Sequence, residues 1–239
     1  MYDRNTHVRD QLKTAHAQSW GELAKPGAFL TGAARIAAVR EARAALDCPL
    51  CAERKAALSP FAVTGTEHAT LAGTLPPGNE LLDAPLLDVV HRLRTDPGRL
   101  TRAWFNEIIA SGVGVGTYVE VVSVVTTSVI VDTLHRALGL EVPALPEPVA
   151  GQPSGETNPD AVDAGAWVPV MAGQQDLADT GLPTVPNIAR AMGLVPSAVA
   201  LFFRTFRPHY QLKDIQLTIS QAQAEFVASR VSSLNECFY

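Results

Sequence analysis

The sequence predicts an all-α protein. Three observations carry the prediction: an alanine-rich run over 33–46, apolar residues at helical spacing over 86–93, and a stretch over 118–138 with neither glycine nor proline after Gly116. Tyr118, Val121, Val122, Val125 and Val129 recur at that same spacing, and this outweighs the strand preference of their valines and threonines.

The elements follow in order. A first helix is expected over 9–23, ended by Lys25-Pro26-Gly27. Thr31 offers an N-cap for the alanine-rich helix, which leads into Cys48-Pro49-Leu50-Cys51 and a short helix over 52–58. Residues 59–85 are rich in Gly, Pro and Thr and read as a long loop, with His68 facing solvent. Leu86, Leu87, Val90 and Leu93 then mark one helix, Asp96-Pro97-Gly98 breaks it, and Trp104, Ile108 and Ile109 mark the next. Gly112, Gly114 and Gly116 follow a helix and lack the spacing of a nucleotide loop, so they read as a stop and restart. Gly139 ends the long helix; on it, Asp132 and His135 are either a relay pair or two residues of a solvated face. Residues 142–173 combine Pro, Gly and acidic side chains without periodicity and read as an exposed linker. Beyond it Leu201, Phe202, Phe203 and Phe206 mark a helix between Pro196 and Pro208, and Thr218 or Ser220 caps a last one.

Composition narrows the function. With 47% hydrophobic and 18% charged residues in 239, the chain can bury a sizeable core. A net charge of -5 gives no electrostatic footprint for nucleic acid. The longest apolar run, over 119–131, is broken by Ser and Thr and reads as too short to span a bilayer, and the polar N-terminus has no signal-peptide core. Three cysteines do not make a disulfide framework, and a CxxC in a cytoplasmic chain points to redox or metal chemistry.

Two places carry that chemistry. Cys48 and Cys51 form a complete CxxC at a helix start, where the helix N-terminus, Arg54 and Lys55 favour a thiolate. A zinc site needs two more ligands, and His68, His91 and His135 show no paired spacing, so neither a metal nor a cofactor is expected. The second place is the tail, EFVASRVSSLNECFY, in which Glu225 lies ahead of Cys237 on one predicted helix. A straight helix would hold the two roughly 18 Å apart, so a bend has to bring them together.

Glu, eleven residues, Cys, two residues, Cys, three residues, His is the pattern of the AhpD-like and carboxymuconolactone decarboxylase superfamily. Glu225 and Cys237 resemble its first two positions, and DPGRLT at 96–101 and NIARAMGLVP at 187–196 resemble other stretches of it. The resemblance implies an AhpD-like helical fold with one complete unit at 1–148, a linker at 149–180 and a second unit at 181–239 truncated within its motif. It implies hydroperoxide reduction, with Cys237 as resolving thiol, Glu225 as relay carboxylate, and a cysteine or selenocysteine expected at position 240, the latter encoded by UGA. A thiol electron-donor protein and a homo-oligomer are implied as partners. At the first pair the family pattern is broken: Ile36 stands where it has Glu, Lys55 where it has His, and Glu41 lies in the same helix at another offset. There the expectation is a dithiol without its proton relay, fit for thiol–disulfide exchange. The rival expectation is a non-catalytic helical protein that works by association, with its cysteines in the core.

Overall fold

The structure, a computed structural model, describes residues 1–2, 8–65, 68, 81–171, 186–209 and 217–234. It is 61% helix with a single two-stranded sheet among the described residues, and so all-α. Chain order runs α1 (Asp10–Leu23), α2 (Gly32–Ala44), α3 (Pro49–Ala56), α4 (Ala84–Thr95), α5 (Arg102–Ala110), α6 (Val115–Ala137), β1 (Ala161–Val162), β2 (Val170–Met171), α7 (Asn187–Met192), α8 (Pro196–Phe206) and α9 (Gln221–Leu234).

Local chemistry sets the helix starts. Thr31, Asp83 and Thr101 each accept the N–H three residues on, from Ala34, Leu86 and Trp104, satisfying a donor that the first turn leaves free. The long helix α6 stops at Gly139, whose φ of 68° only a glycine adopts without strain, while the N–H of Leu140 returns to the His135 carbonyl.

The core is built around α6, which packs against α2, α4 and α8. Its Val121, Val124, Val125 and Val131 are buried among Val39 and Ala42 of α2, Val89 and Val90 of α4, and Leu201 and Phe202 of α8. By length and composition α6 could cross a membrane, unlike the shorter run read from sequence, but 61% of its most apolar window is buried inside the fold. Residues 187–206, expected to open a second unit, share this core, and Ser123 of α6 donates to the Ala198 carbonyl of α8 at 2.7 Å. Much of the expected linker runs with exposed side chains but is strapped by its backbone: Val149, Ser154 and Gly155 donate to the carbonyls of Ala24, Gly27 and Ala28. A Cβ on Gly32 would sit 2.0 Å from the Ala24 oxygen, so that turn requires glycine.

Two buried carboxylates fasten α6 to the N-terminal helices. Glu120 Oε2 accepts the N–H groups of Phe29 at 2.6 Å and Leu30 at 3.3 Å, and its Oε1 lies 3.5 Å from Arg35 Nε. Asp132 accepts two N–H groups of Arg43, each at 2.8 Å, and His135 Nδ1 donates to its own helix at the Val131 carbonyl. Asp132 and His135 are therefore buried structural residues, and neither the solvated face nor the relay pair holds. The reason is Arg43, whose last-turn position on α2 puts a bidentate cation opposite Asp132.

At the other end of α1, Tyr2 Oη donates to His16 Nδ1 at 2.8 Å, and His16 Nε2 lies 2.7 Å from His209 Nε2. Two neutral rings sustain that chain with His16 donating from Nε2. Burial, then the facing His209 and His135, hold His16 down to about 3; burial and Arg9 hold His209 down to about 4.

Replacing Glu120 by Ala strands two N–H groups and the Arg35 guanidinium, and should cost about 3–5 kcal/mol in urea unfolding; a loss below 1 kcal/mol would show that Glu120 is no fastener. Because both histidines bind protons more weakly folded than unfolded, their contribution is complete above about pH 6.5 and lost as pH falls toward 4. The melting temperature should fall over that window in wild type and less in His16→Gln, and parallel pH profiles would refute the assignment.

Candidate functional site

Helix α2 ends in a 3-10 turn over Ala45–Asp47, and the chain reverses into α3 at Cys48. Cys48 is the N-cap residue, with extended φ and ψ of -74° and 119°, and Pro49 takes the first helical position, where its missing N–H costs nothing. Cys51 stands one turn further on the same face, so both sulfurs point one way. They point at α4. Both cysteines are buried and free.

Two imidazoles meet the sulfurs. His91, on the inward side of α4, places Nδ1 3.3 Å from Cys51 Sγ. His68 places Nδ1 3.7 Å from Cys48 Sγ and 3.7 Å from Cys51 Sγ. The two rings lie side by side and tilted by 44°, their centroids 4.2 Å apart. Each ring turns its other nitrogen to a carboxylate: His68 Nε2 lies 2.8 Å from Asp88, and His91 Nε2 lies 3.5 Å from Glu41. A carboxylate accepts, so each Nε2 carries the hydrogen and each Nδ1 turns a lone pair toward the sulfurs.

Asp88 is the most connected of these groups. Its Oδ1 accepts from Arg54 at 2.7 Å and from His68; its Oδ2 accepts from Arg92 at 2.8 Å and from Trp104 Nε1 at 2.9 Å. Burial pushes this carboxyl up, but the hydrogen bonds from His68, Trp104 and Arg54 and the charge of Arg92 more than offset it and hold it well below the usual carboxylate range. Burial lowers His68, which is therefore a neutral ring at pH 7. Burial, then the adjacent Cys48, push the Cys51 thiol up to about 12, so it keeps its proton unless a base or a cation takes it. From α4 outward, Arg99 donates to the carbonyls of Ala57, Arg54 and Lys55 and closes the open end of α3.

The structure thus brings Cys48 and Cys51 together and adds three residues that sequence reasoning set aside. His68 was expected to face solvent, yet its side chain is 2% exposed, because its ring is taken up by Asp88 and the two sulfurs. Glu41 and His91 supply the carboxylate and imidazole missing at the family's offsets, one from α2 and the other from α4. The available signal was His91 itself, a polar residue at the end of the apolar pair Val89-Val90 of α4. Of the tail pair, Glu225 lies on α9 and accepts from Gln221 Nε2 at 2.6 Å. Cys237 lies outside the described residues. Phe226, Val227, Val231 and Leu234 of the same helix are exposed.

No family model matches the chain, and neither a curated protein nor a solved structure matches it.

Asp88→Ala leaves Arg54 and Arg92 facing each other without their shared anion and frees the His68 ring. The expected result is a loss of about 3–5 kcal/mol in denaturant unfolding, with Cys48 and Cys51 labelled faster by a thiol reagent under native conditions. Unaltered labelling would mean that Asp88 does not hold the site shut.

Proposed function

We propose that the protein is a dithiol redox protein whose working pair is Cys48 and Cys51. One observation carries the proposal: His91 Nδ1 stands 3.3 Å from Cys51 Sγ with Glu41 behind the same ring. A resolving thiol pushed up to about 12 needs a base at hand, and an imidazole backed by a carboxylate offers one. Cys48 is the attacking sulfur in this proposal, since it stands at the positive end of α3, which reverses the order that the resemblance implies for the tail, where the first cysteine resolves.

The oxidant follows from the resemblance to the AhpD-like superfamily, and a hydroperoxide is proposed. The Cys48 thiolate attacks the terminal oxygen, the O–O bond breaks, and the alcohol leaves with a proton, giving a sulfenic acid on Cys48. His91 accepts the proton of Cys51, whose sulfur attacks the Cys48 sulfur; the S–O bond breaks, the disulfide closes, and His91 returns the proton to the departing hydroxide, which leaves as water. Two electrons have passed from the two sulfurs to the peroxide, and a thiol electron-donor protein returns them. The AhpD-like arrangement of units, a cytoplasmic location and assembly of like copies belong to the same proposal. The tail pair, Glu225 with Cys237, is proposed as a second site of the same kind on the resemblance alone. The rival, structural cysteines in an interaction protein, is favoured if the thiols prove inert.

Reduced protein, freed of metal by a chelator, is mixed with hydrogen peroxide and with cumene hydroperoxide, and the cysteine peptides are mapped by mass. A Cys48–Cys51 disulfide should form, and His91→Asn should slow it by about a hundredfold, within the range for one general base. Thiols that remain free, or a variant that oxidises at the wild-type rate, would remove the proposed role.

A further inference from the structure

The redox reading uses one imidazole and leaves His68 without a task. We infer that Cys48, Cys51, His68 and His91 together form a binding site for a zinc ion, which holds the dithiol in its reduced form. The ligand atoms, Sγ of the two cysteines and one ring nitrogen of each histidine, all lie within 4.8 Å of one another.

The distances fit one geometry. A tetrahedral zinc with sulfur at ~2.3 Å and nitrogen at ~2.0 Å separates each sulfur from each nitrogen by about 3.5 Å. Three of the four sulfur–nitrogen distances are 3.7, 3.7 and 3.3 Å, and all four ligand atoms lie within 4.8 Å of one another. A single thiol–imidazole hydrogen bond would account for the last of these. It does not account for a second ring equidistant from both sulfurs.

The surroundings fit the same occupant. Ligating histidines give their outer N–H to a carboxylate, which fixes the tautomer and aims the lone pair. Both rings do so here, His68 to Asp88 and His91 to Glu41. Two thiolates and two imidazoles in tetrahedral array select zinc over the harder cations that prefer oxygen. Four protein ligands leave no open position for water, so the ion holds the site together and does not hydrolyse.

What the ion would hold is α3. The apolar cluster under this helix consists of Cys48, Leu50 and Cys51 with Val63 against them, and it is separate from the main core. A metal bonded to α3, to the loop at His68 and to α4 at His91 ties all three. It also excludes the redox step. The sulfurs cannot be both zinc-bound thiolates and a disulfide, and the His91 lone pair cannot serve the metal and the Cys51 proton together.

The test uses the full chain, stripped of metal under reductant and titrated with zinc against a chromogenic chelator, then with cobalt in its place. One equivalent should bind. Cobalt should give the intense visible bands of a tetrahedral site and the near-ultraviolet charge transfer of two thiolates. Zinc should protect Cys48 and Cys51 from alkylation, and His68→Ala should weaken binding by at least about tenfold, the low end even for outer partners of a ligand. The wild-type cobalt spectrum stands whether or not that variant folds. An octahedral spectrum, a stoichiometry well below one, or binding that survives Cys48→Ser with Cys51→Ser overturns the inference. Oxidation of the metal-free pair is read on the same sample. Zinc bound without any disulfide on peroxide sinks the redox reading alone, and a disulfide formed by a chain that binds no zinc sinks this one alone.

Discussion

Asp88 is the constraint on which the candidate site depends. A largely buried carboxylate is tolerable only when its oxygens are engaged, and this one is met by two guanidinium groups, an indole and an imidazole. Each partner comes from a different place: Arg54 from α3, His68 from the loop, Arg92 from its own helix, Trp104 from α5. Satisfying the anion therefore assembles the site. The ring of His68 is turned so that Nδ1 can face the sulfurs only because Nε2 is occupied by Asp88.

The same device recurs through the fold. Helix α6 is rich in valine, whose packing buries area without fixing where along the helix a neighbour must sit. Glu120 and Asp132 supply the fixed points, one at each end of α6, and both reach the N-terminal part of the chain through Arg35 and Arg43. Each is costly to bury and costly to break, which is how a polar link selects one register among several of similar apolar burial. The α2 to α6 contact sets where Glu41 stands. Fixing that contact therefore also fixes the carboxylate behind His91.

The sequence made the helices legible and left the site largely hidden, for one physical reason. Periodicity and caps are local, and α2, α4, α5 and α6 announce themselves through Thr31 and the apolar residues at helical spacing, while the caps Asp83 and Thr101 emerged only in the structure. The site is made of tertiary contacts. Cys51 and His68 are 17 residues apart and Cys51 and His91 are 40 apart, spacings that match no short motif for a metal or a relay. The expected offsets, Glu twelve before and His four after the cysteines, are local, while Glu41 and His91 reach the sulfurs' neighbourhood from two other helices. Asp132 was misread because a carboxylate on a helix gives no sign, in sequence, of an arginine waiting on another helix.

The two proposals for the dithiol draw on one atom. His91 Nδ1 offers a single lone pair, and whichever of the Cys51 proton or a metal ion receives it denies the other. His68 breaks the symmetry: its nitrogen stands at the same distance from both sulfurs, which suits a centre lying between them and does nothing for a proton that must leave Cys51 alone. A pair of buried thiols with only His91 beside them would be a redox pair that is hard to reach. With a zinc ion bound, His68 would make the reduced pair part of a chelate, both sulfurs would rest as thiolates, and oxidation would first have to break the bonds from the ion to them. The second histidine thus converts a reactive group into a guarded one, without moving either cysteine from the start of α3.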